Sequence, residues 1–176
     1  MSNCAFTGHR PEKFPWRTNE SDPACIALKA ALAEQIGYLV NGGCLTFLSG
    51  MARGVDQWAA SAVLTLRERN PGIRLHCILP CDSQADQWSG LDRKTYQAIL
   101  SRADLVEYVN HAYTKNCMLA RNRYMVDHVS VVLAVYNGES RGGTAHTVRY
   151  ARKRKRELLI MNPLTRIITR ENGDKG

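Results

Sequence analysis

The chain has 176 residues, 44% hydrophobic and 23% charged, a balance that excludes a disordered or collagen-like polypeptide and suits one globular domain over 1–176. A formal net charge of +8 raises nucleic acid as a partner to be weighed. No apolar run approaches the ~20 residues of a membrane helix, and the first six residues lack a basic-then-apolar leader, so neither a membrane nor a secretory signal is expected.

In chain order, Cys4–Gly8 reads as a strand ending in a tight turn. Residues 9–22 are polar, with prolines at 11 and 15 and another at 23, and read as a loop. Apolar residues then recur at helical spacing from Ala24 to Val40, stopped by Asn41-Gly42-Gly43. Leu45–Ser49 is a buried strand closed by Gly50, and 55–69 a helix ended by Asn70-Pro71-Gly72. Strand 73–79, helix 91–102, strand 105–109 and helix 115–128 follow. Residues 129–136 form the strongest apolar run, as expected for a strand buried on both faces. A helix from Thr144 to about Lys155, a strand at 158–161 and a polar, frayed tail from Arg170 complete the pattern.

This alternation predicts an α/β, Rossmann-like three-layer sandwich: a mostly parallel sheet with helices on both faces. Such sheets bind ligands beyond the carboxyl ends of their strands. Three segments stand there. Thr7-Gly8-His9-Arg10 offers a hydroxyl, an imidazole and a guanidinium to an anion. Ser49-Gly50-Met51-Ala52-Arg53-Gly54-Val55-Asp56 joins a strand to a helix; its glycines admit a ligand, Arg53 suits a phosphate, and Asp56 suits a ribose hydroxyl or a helix cap. Gly142-Gly143-Thr144 repeats that logic, with Thr147 one turn on and Asn137 and Arg141 in the same connection. Arg121 and Asn122 lie on a helix before the main strand, where a site role and a solvated face weigh equally. Trp58 reads as core, and Trp88 as a loop residue able to lid a pocket.

The six cysteines form no CxxC pair and lie mostly in apolar stretches, so they are expected as reduced thiols in a cytoplasmic protein. No metal-ligand spacing repeats, and no metal is expected. The basic run Arg149–Arg156 has no interleaved aromatic pattern for base stacking, Tyr150 being its single aromatic; a cationic helix end is favoured over a nucleic-acid surface.

Together, Thr7–Arg10, Ser49–Asp56, Arg121-Asn122 followed by Met125-Val126-Asp127, and Gly142–Thr144 resemble the YpsA-like branch of the SLOG superfamily, which includes DprA and the LOG enzymes. The resemblance spans 4–162 and implies a Rossmann-like fold that binds nucleotides or nucleotide-derived ligands such as ADP-ribose. In LOG enzymes a Pro-Gly-Gly-x-Gly-Thr-x-x-Glu signature supplies a glutamate that takes part in N-glycosidic cleavage; Thr147 stands in its place here, and threonine supplies no carboxylate. The resulting expectation is a sensor or carrier for a small phosphate-bearing ligand. A nucleoside-phosphate N-glycosidase, using Asp56 or His9, is the alternative, and nucleic-acid binding through 149–156 the third. The sequence names no protein partner, although a sheet edge or an exposed helix could support a homo-oligomer.

Overall fold

Apolar runs and amphipathic stretches alternate along the chain, and in the computed structural model they fold as seven strands, five α-helices and a short 3-10 helix (Pro11–Lys13) over the described residues, 2–173. The strands are β1 (Ser2–Gly8), β2 (Cys44–Ser49), β3 (Arg74–Leu79), β4 (Leu105–Tyr108), β5 (Val131–Val135), β6 (Glu157–Met161) and β7 (Ile168–Glu171). The helices are α1 (Pro23–Asn41), α2 (Val55–Arg67), α3 (Gly90–Leu100), α4 (Cys117–Asp127) and α5 (Gly143–Lys153). They make one sheet in the order β4-β3-β2-β1-β5-β6-β7, parallel except for the last pair.

Alternation along β1 sets the layers. Cys4 and Phe6 face one apolar cluster with Leu28, Leu32 and Ile36 of α1 and Val63 of α2. Ala5 faces the other, with Met125 of α4 and Val148 of α5. Each fully buried leucine or isoleucine contributes roughly 1.5–3 kcal/mol relative to exposure. All six cysteines are buried and free.

Two expectations are corrected. The tail is not frayed from Arg170: β7 pairs antiparallel with β6, and the pairs Arg170–Glu157 and Arg152–Glu171, each 2.8 Å, fasten its polar side chains. Residues 174–176 of that tail lie outside the described residues. In addition, α1 does reach the length and mean hydropathy, 1.2, of a candidate membrane span. Its stripe Leu28, Leu32 and Ile36 lies in the core beneath the sheet, and it carries Lys29 and Glu34.

The chain runs outward in both directions from β1, so strand order reverses between β1 and β5. Their carboxyl ends lie side by side, Gly8 opposite Val135. That is the switch point at which open α/β sheets place ligands.

Candidate functional site

A cleft of about 220 Å³ opens at this switch point. Its walls come from the turn after β1 (Thr7, Gly8, His9, Arg10), the turn after β2 (Ala52, Asp56), the middle of α4 (Arg121, Asn122) and the turn into α5 (Gly142, Gly143, Thr144). The fold thus brings together most of the residues singled out from sequence.

The floor is Arg121. Although charged, it is only 3% exposed. Nη1 donates to the carbonyl of Gly50, and Nε donates to Asn122 Oδ1 at 2.7 Å. Nη2 makes no hydrogen bond to any described residue. Glycine at 50 is required for this: a Cβ there would meet the guanidinium at well under 3.0 Å. Gln84 Nε2 donates to the same Gly50 carbonyl at 2.9 Å, and Tyr96 Oη donates to Gln84.

Beside Arg121 lies Asp56, in the first turn of α2. It accepts the Ala52 N–H at 3.3 Å, while Ser49 Oγ donates to the Asp56 carbonyl at 2.9 Å. Burial pushes the Asp56 carboxyl up to about 6, although Arg121, the Ala52 N–H and Arg10 all pull it down. The wall above holds His9, whose Nε2 lies 3.1 Å from Asn137 Oδ1 and whose pKa burial lowers. Arg10, Lys13 and Arg141 add cations, and Lys13 reaches Glu139 at 3.4 Å. Opposite, α5 presents the unpaired N–H groups and positive dipole end of an eleven-residue helix, with the Thr144 hydroxyl on its first turn.

Several expected roles change. Arg53 does not face the cleft: its guanidinium pairs with Glu12 and with Asp92 at 3.5 Å, and lies 6.0 Å from the Trp88 ring. Ser49 and Met51 are buried beneath the turn, Met51 in the core. Gly8 and Gly54 admit protein, the first Val55 and the second the His9 carbonyl and Pro11. Thr147 turns inward and donates to the Gly143 carbonyl at 2.9 Å. Lys13, Met118, Leu119 and Glu139 also line the cleft. Glu139 follows the main strand by four residues, which was a usable signal; the other three carry none in sequence. Trp58 is core, its ring tilted against Phe14 with centroids 5.6 Å apart and its Nε1 donating to Glu20 at 2.9 Å, and Trp88 packs edge-on against Tyr96.

In the basic run, Arg149 donates to the Ser140 carbonyl, Arg152 grips Glu171, Arg154 pairs with Asp127 at 2.7 Å, and Arg156 donates to two carbonyls of α4. Among the described residues no cluster of three or more histidine, cysteine, aspartate or glutamate side chains is arranged to hold a metal.

Comparison with known proteins decides the kinship. The sequence profile of the YspA SLOG family matches residues 4–167. The chain belongs to the YspA SLOG family. A UPF0398 protein of Bacillus pumilus is 28% identical over 153 residues, covering 86% of this chain and 82% of that one. A UPF0398 protein of Halalkalibacterium halodurans is 31% identical over 132 residues, 74% and 70% of the two chains. The UPF0398 protein YpsA of Bacillus subtilis is 24% identical over 159 residues, 89% and 88%. Membership of this SLOG family supports a nucleotide-related binding or modifying role in general terms.

Proposed function

We propose that this SLOG protein binds a phosphate-bearing, nucleotide-derived ligand in the cleft between β1 and β5, with the anionic end against the N-terminus of α5. The observation that carries the reading is Arg121. Burying a guanidinium this deeply is costly, and this one keeps Nη2 without a described partner yet accessible, so a donor of the cleft floor is left over for a ligand. It is a good anion receptor. Arg10 and Arg141 at the rim add to the attraction, and helix N–H groups complete a cradle for phosphate oxygens. The cavity, about 220 Å³, is smaller than the ~300–1,000 Å³ of sites that engulf whole ligands. It suits the phosphate end of a nucleotide, the remainder extending past Met118 and Leu119.

Calorimetric titration with AMP, ADP-ribose and inorganic phosphate tests this. Arg10→Ala is expected to weaken AMP roughly tenfold or more, the value of a charge-assisted hydrogen bond. Gly143→Asp, which sets a carboxylate at the helix end, is expected to abolish binding. Arg53→Ala is expected to leave affinity unchanged. Wild-type affinity in both Arg10→Ala and Gly143→Asp overturns the site.

A second reading, hydrolysis, is favoured by one observation: Glu139 brings a carboxylate to the cleft that Thr147 does not. Chromatography of nucleoside monophosphates incubated with the protein separates the two. Released base that disappears in Glu139→Gln supports hydrolysis, and intact substrate supports binding alone.

A further inference from the structure

His9 differs from the cations around it. It is 7% exposed, lines the cleft, and stands edge-on to Phe14 with ring centroids 6.1 Å apart. Its Nε2 faces Asn137 Oδ1 at 3.1 Å. The Asn137 amide is oriented independently of the histidine. Nδ2 donates to Glu139 Oε1 at 2.9 Å, and Oδ1 accepts the Glu139 backbone N–H at 3.1 Å. Reversing the amide would set its NH2 against that N–H and its oxygen against the carboxylate. Oδ1 is therefore an acceptor, and His9 Nε2 must carry the proton.

Burial lowers the pKa of His9 against the opposing pull of Asn137 and Glu139, which favours the neutral ring, whose Nδ1 keeps a lone pair. Nδ1 makes no hydrogen bond to any described residue. It is also not among the buried, unpartnered side-chain atoms, which are Trp16 Nε1 and His146 Nδ1. It is therefore accessible, on a residue that lines the cleft.

A lone pair cannot pair with the oxygens of a phosphate ester dianion, which are acceptors themselves. It pairs with a hydroxyl or an N–H. We propose that His9 Nδ1 accepts a hydroxyl of the ligand beside its phosphate, so that the cleft selects a sugar phosphate over a bare anion. Asn137 is the positioning residue that sets the tautomer. The inference rests on the phosphate-binding reading and assigns the residue that recognises the sugar beside the phosphate; it also reverses the expectation that the imidazole meets an anion.

The test compares ribose 5-phosphate, 5-phosphates lacking one ring hydroxyl each, and inorganic phosphate, by calorimetry on the full chain. Wild type is expected to bind ribose 5-phosphate roughly tenfold more tightly than at least one deoxy analogue, the upper value of one hydrogen bond. His9→Phe, which keeps a ring against Phe14 and Tyr136, is expected to lose that discrimination and keep its affinity for inorganic phosphate. Asn137→Leu, which frees the tautomer while leaving His9 in place, is expected to lose most of it too. Discrimination that survives in both variants overturns the proposal, as does an equal loss of inorganic phosphate and ribose 5-phosphate in His9→Phe. If wild type binds inorganic phosphate but does not discriminate, this inference alone falls. If it binds none of the probes, the phosphate reading falls with it.

Discussion

The turn after β2 and the turn after β5 both set glycines ahead of a helix, yet one is filled by protein and the other is open. At Gly50 the missing Cβ is replaced by the Arg121 guanidinium, and at Gly54 by the His9 carbonyl and Pro11. At Gly142 and Gly143 a Cβ would meet nothing within 4 Å. The first turn is therefore a socket that fixes the charged floor of the cleft. The second is a bare helix end with room for a ligand. A glycine before a helix is commonly read as space for a phosphate; here the space at Gly50 belongs to the protein's own arginine.

Substitutions sharpen or break this contrast. The largest effect is expected at Gly50→Ala, which evicts the guanidinium from the Gly50 carbonyl and removes its electrostatic pull on Asp56. Denaturant unfolding should show a loss on the order of 3 kcal/mol or more; a loss below about 1 kcal/mol would break the socket picture. Next comes Asp56, whose folded carboxyl titrates near 6 against a reference of 3.8. Because the folded value is raised, its contribution is complete at low pH and is lost as pH rises through that interval. Wild type should therefore lose stability relative to Asp56→Asn between about pH 4 and 6, by on the order of 3 kcal/mol. A gap that stays flat across this window would mean that the carboxyl is not buried beside Arg121. The smallest effects belong to the open turn. Gly142, at φ 102° and ψ 171°, a region open essentially to glycine alone, should cost on the order of 1–3 kcal/mol as alanine through backbone strain. Gly143→Ala should stay within about 0.5 kcal/mol. A cost at Gly143 equal to that at Gly50 would erase the distinction between the two turns.

The strand–helix alternation and the positions of the three turns were legible because each is written locally, in apolar period and in glycine. What the turns admit was not, since the groups that fill them come from elsewhere: Arg121 reaches Gly50 from α4, and Val55 fills the space over Gly8. The direction of Arg53 was hidden for the same reason, because Glu12 and Asp92 draw it away from the cleft. β7 escaped notice because Ile168-Thr169-Arg170-Glu171 is mostly polar and has strand character only through pairing with β6. The tautomer of His9 depends on an amide 128 residues away.

The hydrogen bond from Arg121 to Gly50 spans 71 residues. It has a consequence for the order in which the molecule is made. A nascent chain that has emerged only through β3 has the strands and the turn but no guanidinium to seat over Gly50, and β1 still lacks β5 on one side. The cleft is thus among the last features to close during synthesis. Fragments ending before α4 would expose the empty socket and the open edge of β1 together.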